Sequence, residues 1–144
     1  MELTRFQVAL VGAPLMLPFP AFANAMWSAG GYSWSCSYSQ AIICERAADC
    51  VQQPQRGRIE ILYEKSNVIV DGTTISIRRH FDQAVPQSPL GREVKIELED
   101  NQVLWLVPAD ASGVFSNNWI GTLTTPKAGV VIAEMRPLVC LPKF

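Results

Sequence analysis

The sequence predicts an all-β domain: a single small antiparallel β-barrel of about eight strands, with a β-sandwich as the alternative, held by two disulfides. Three observations predict it. Short segments alternating apolar and polar residues recur with turn residues between them, and no segment sustains a helical period. Asp71-Gly72 is a strong hairpin signal, because both residues tolerate the positive φ of a tight turn. Three of the four cysteines fall within 34–50 and the fourth is Cys140, an even number suited to pairing.

The elements follow in order. Residues 1–25 read as a signal peptide: Arg5 near the start, an apolar stretch over 8–19 broken by Pro14 and Pro18, then Ala23-Asn24-Ala25 as a processing site. The stretch falls short of the ~20 residues a membrane helix takes. Residues 26–144 then form one exported domain of 144 − 25 = 119 residues, periplasmic or secreted, with no transmembrane segment. The first strand covers 32–38, alternating large and small residues. Residues 41–53 form a helical turn or an irregular loop, with Ile43, Ala47 and Cys50 on one face. Strands follow at 58–64, where Ile59, Ile61 and Tyr63 share a side, at 67–70, and after Asp71-Gly72 at 74–78, with Ile75 and Ile77 inward. A proline-containing loop over 84–91 leads to a two-faced strand at 93–99. Asp100-Asn101 turns it into 102–107, and the last strands are 118–124 and 130–135. Residues 103–107 and 130–132 are apolar on both faces, and the barrel interior is expected to be filled by side chains.

An exported chain meets an oxidising environment, so the cysteines pair. Four cysteines allow three pairings. The favoured one joins Cys44 to Cys50 as a local staple and Cys36 to Cys140 as a long closure, sealing first strand to last. A zinc site fits poorly, since Cys44-x5-Cys50 is wider than a zinc knuckle and His80 is the only histidine. No metal and no cofactor are expected.

After loss of Glu2 and Arg5 the net charge stays at −1, with eleven basic and twelve acidic residues. That lacks the basic excess needed to neutralise phosphates, so nucleic acid is not an expected partner. Enzymatic chemistry finds little support. His80 sits by alternation on the face of Ser76 and Arg78, toward solvent, with Asp82 beside it, and no Gly-x-Ser-x-Gly pattern completes a triad. Glu93, Glu97 and Glu99 with Lys95 read as a solvated strand face, and no glycine run suits a phosphate. Trp34 and Trp105 are assigned to the core, and Trp27 to the surface.

The stretch "PADASGVFSNNWIGTLTT" (108–125) carries Ser112-Gly113 in a loop between two strands. It resembles the Ser-Gly-x-x-Tyr loop region of the small exported inhibitors of chicken-type lysozyme. That resemblance implies an eight-stranded barrel that inserts a loop serine into an enzyme cleft. Ser112 and Gly113 match the family's Ser-Gly, and Phe115 stands near its aromatic. The family's tyrosine has no counterpart, and Val114 replaces a frequent basic residue. The expected function is therefore a non-catalytic binding protein of the cell envelope, an inhibitor of an envelope or host enzyme such as lysozyme. It would act through Asp110, Ser112, Gly113, Phe115 and Trp119. The alternative is a lipocalin-like carrier of a small apolar ligand, which needs a cavity of at least about 300 Å³ lined by apolar side chains. The partner's identity and the oligomeric state are not encoded in any motif.

Overall fold

The computed structural model describes residues 33–85, 87, 91–109 and 118–143. Eight strands run β1 (Ser33–Glu45), β2 (Val51–Leu62), β3 (Asn67–Val70), β4 (Thr73–Ala84), β5 (Arg92–Leu98), β6 (Val103–Pro108), β7 (Trp119–Pro126) and β8 (Val131–Lys143), with one 3-10 turn at Tyr63–Lys65. Each strand pairs antiparallel with the next, and β8 returns to pair with β1, closing the barrel. Closure leaves no outermost strand.

The inward positions are the apolar ones the alternation marks. Trp34, Cys36, Ile59, Ile61, Val68, Val94, Ile96, Leu98, Leu104, Leu106, Leu123 and Cys140 are all buried in one cluster, and Tyr63, Ile75 and Ile77 pack against it. Outward positions carry Arg58, Glu60, Arg79, Lys95 and Glu97. The outer face also carries apolar side chains, with Trp105, Ile120, Val139 and Leu141 exposed. No helix among the described residues is long and apolar enough to cross a membrane.

Both favoured disulfides are present. Cys36 and Cys140 face each other across the β1–β8 seam, 104 residues apart in sequence. Cys44–Cys50 spans six residues and straps the β1–β2 turn. Two closed disulfides fit folding in an oxidising compartment. Asp71 and Gly72 take φ of 48° and 88°, the doubly positive geometry of a type I′ hairpin.

Three expectations are corrected. Most of 41–53 is strand, since β1 runs on to Glu45 and β2 starts at Val51, and only 46–50 form the non-strand turn that Cys44–Cys50 pins. The β1 register shifts against both neighbours between Ser37 and Ile42. The buried positions thus fall at Tyr38, Ala41 and Cys44, a three-residue spacing that imitates a helix. His80 does not face solvent with Ser76. A bulge between Ile77 and Arg79 reverses the phase of β4, so His80 stands opposite buried Ile96 and Asp82 opposite buried Val94. Phe81 is turned out instead, with the Lys95 ammonium 5.5 Å from its ring centroid. Trp105 is not in the core. It lies between inward Leu104 and Leu106, is 41% exposed, and its Nε1 donates to Glu93 Oε2 at 3.0 Å.

Candidate functional site

The barrel has two unlike ends. One carries the turns at 46–50, 71–72, 99–101 and 127–130. The other carries Ser33, Lys143, the Tyr63–Lys65 turn and the ends of β4, β5, β6 and β7.

At this second end, β6 finishes at Pro108 and β7 begins at Trp119, and these two residues are register partners. The Ala109 amide donates to the Asn118 carbonyl at 2.9 Å, continuing the ladder by one rung. Trp119 is buried, edge-on to Trp34 with ring centroids 6.3 Å apart. It therefore ties the base of the expected binding loop to the core. Asp110, Ser112, Gly113 and Phe115 lie outside the described residues.

Nearby, His80 and Tyr63 meet edge to face at 4.6 Å, and the buried His80 Nε2 and Tyr63 Oη have no hydrogen-bond partner. Burial holds the imidazole below its ordinary pKa, with the Asp82 charge opposing in part. Asp82 is engaged by Arg92, whose Nε and Nη2 donate to its carboxylate at 3.2 Å and 2.5 Å. The imidazole is thus shifted toward its neutral form and packed on the Tyr63 ring.

The first end holds a polar chain inside the mouth. Tyr38 Oη donates to Asp71 Oδ2 at 2.5 Å, and the Arg58 amide donates to Asp71 Oδ1 at 3.1 Å. Arg136 reaches Asp71 at 3.4 Å and Glu134 at 2.7 Å, and its guanidinium lies 5.4 Å from the Tyr38 ring centroid. Lys127 Nζ closes on Glu134 at 3.1 Å. Burial, then the bond to Asp71, pushes the Tyr38 phenol up to about 12. Burial works to raise Glu134, but hydrogen bonds from Arg136 and Lys127 outweigh it and hold the carboxyl below its usual range. Gly57 makes room: a Cβ there would stand 2.2 Å from both Tyr38 Oη and Asp71 Oδ1. The sequence reasoning missed this chain. One signal was available, since Glu134 and Arg136 share strand parity with Cys140, which a disulfide through the barrel wall would turn inward.

Beside the polar chain the wall is notched. β4 extends beyond β5, because their pairing starts only at Ile77 with Leu98. β7 extends beyond β6, whose pairing stops at Val103 with Thr124. The short β5–β6 hairpin between them leaves an open groove of about 790 Å³, with Thr73, Thr74 and Ser76 on one bank, Thr125 and Lys127 on the other, and Glu99, Asp100 and Gln102 along its floor. Among the described residues, no three of His, Cys, Asp and Glu gather to hold a metal ion.

Fold and site together define a disulfide-clasped, side-chain-filled, closed β-barrel with one grooved end and one loop-bearing end. No protein-family model, curated protein or solved structure matches the chain.

Proposed function

We propose that this is an exported, non-catalytic binding protein, processed after Ala25 and working in the periplasm or outside the cell. It inhibits an envelope or host enzyme such as lysozyme through the loop 110–118. The observation that carries the reading is the anchoring of that loop's base. Pro108 pairs with Trp119, Ala109 bonds Asn118, and Trp119 is sunk against Trp34. A fixed base sets where the two ends of a binding loop leave the scaffold. The ionisable clusters support a binding role over catalysis. Glu134, Arg136, Asp71, Asp82 and Arg92 neutralise one another, and His80 lies packed on Tyr63. A carrier gains no support, because Trp34, Ile59, Ile96, Leu104 and Leu123 fill the interior.

The test is a cell-wall lysis assay with the processed protein, residues 26–144. Wild type is expected to inhibit chicken-type lysozyme near stoichiometry. Ser112→Arg is expected to abolish inhibition with an unchanged melting temperature. Lysozyme left fully active by a large excess of wild type ends this reading.

A further inference from the structure

We infer that the groove at the turn-bearing end binds an extended peptide segment of a partner protein, added as a short strand along β4, with a Lys or Arg side chain set against Glu99 and Asp100. This site lies at the opposite end from the loop 110–118, so it stands or falls separately from the inhibitor reading.

The first support is an open strand edge inside a closed barrel. Residues 73–76 of β4 pair with β3 on one side. On the other side β5 supplies a single bond, from the Glu99 amide to the Ser76 carbonyl at 3.0 Å. Backbone groups alternate edges along a strand, so Thr74, two residues before Ser76, turns its N–H and C=O to that same edge. Among the described residues no strand covers them there, and the groove gives a peptide room to lie alongside. Main-chain pairing to an exposed edge is a recurring mode of peptide capture.

The second support is charge. Both cations at the groove are already held: Lys127 and Arg136 each pair with Glu134. Asp71 is balanced by Arg136. Among the described residues, Asp100 accepts only from the neutral amides of Gln102, main chain and side chain. Among the described residues, exposed Glu99 has no ion pair. Arg78 reaches the same turn but donates to the Leu98 carbonyl and to Asn101 Oδ1 at 3.0 Å and 3.1 Å. Two carboxylates without an ion pair among the described residues therefore sit beside the open edge, and a cationic side chain complements them. Hydroxyl-rich banks would also suit a sugar, but the groove lining contains no aromatic ring on which a pyranose face could stack.

The experiment follows backbone amide shifts by NMR on the processed, oxidised protein, titrated with acetyl-Val-Lys-Val-Lys-Val-amide. Saturable shifts confined to 73–76, 99–102 and 125–127 are expected. They should vanish with the Glu-for-Lys peptide and with a peptide N-methylated at its central valine. Glu99→Lys, an exposed turn substitution whose spectrum should otherwise match wild type, is expected to weaken binding about fivefold. The proposal is overturned by an absence of groove shifts at millimolar peptide. Equal binding of the Glu or N-methylated peptide overturns it too, as does chitotriose moving the same amides in place of the peptide.

Discussion

The two disulfides differ seventeenfold in the chain they enclose, and their removal should separate accordingly. Cys36–Cys140 closes 104 residues and Cys44–Cys50 closes six. The chain-entropy relation gives roughly 4.7 kcal/mol for the first and ~2.2 kcal/mol for the second. Cys36 and Cys140 are also wholly buried, so replacing them with alanine adds a packing loss of about 1 kcal/mol. Cys36→Ala/Cys140→Ala should therefore cost ~3.5 kcal/mol more than Cys44→Ala/Cys50→Ala. At about 4 °C per kcal/mol for a domain near this size, that is ~14 °C in melting temperature. Urea unfolding of both double variants, read by tryptophan fluorescence, measures the gap. The β1–β8 ladder exists only in the folded barrel, so it cannot substitute for the bridge in the unfolded chain. Equal costs, or a larger cost for the short bridge, would refute the reasoning by showing that the unfolded chain already holds its two ends together.

Further outcomes follow from the polar mouth and the buried imidazole. Gly57→Ala should destabilise by about 2 kcal/mol, since the new methyl collides with Tyr38 and Asp71, and thermal unfolding reads it. Arg136→Met removes the guanidinium shared by Glu134 and Asp71 and should cost about 2 kcal/mol in a urea titration. His80 has its pKa lowered in the fold from 6.5, so the unfolded chain binds more protons just below that pH. Its contribution is intact above about pH 6.5 and is lost as pH falls through the lower folded value. Melting temperatures at pH 7.5 and 5.5 should diverge less in His80→Gln than in wild type. Trp105→Gln, on the outer wall, should leave the melting temperature within about 2 °C.

The order of strands was legible because period-two alternation survives in most of them. "EVKIEL" within β5 buries every second residue, as written. Legibility failed where the backbone changes phase. The irregularity after Ser37 spaces Tyr38, Ala41 and Cys44 by threes, and the bulge before Arg79 turns His80 inward. Trp105 was misplaced for another reason: β6 is apolar at both parities, so alternation alone does not say which of its faces is inward. Asp71 was read as a turn residue, which it is. Its second role depends on Tyr38 and Arg136, 33 and 65 residues away, and local pattern carries no record of such partners. The groove is likewise a matter of unequal strand lengths, which emerge only once register is fixed.

The bulge in β4 also bears on how this chain tolerates length changes. A ring of eight strands has no free margin where a slipped register can be absorbed, so each strand must agree with both neighbours at once. The extra residue at Arg78–Arg79 is a built-in phase correction between the β3 side, set by Ile75, and the β5 side, set by Ile96. Deleting one residue there would remove the bulge and leave both pairings as they are, with His80 still opposite Ile96 and Phe81 still opposite Lys95. A single-codon loss at this point is thus taken up by the bulge, whereas the same loss in a strand without one would turn every residue beyond it to the other face.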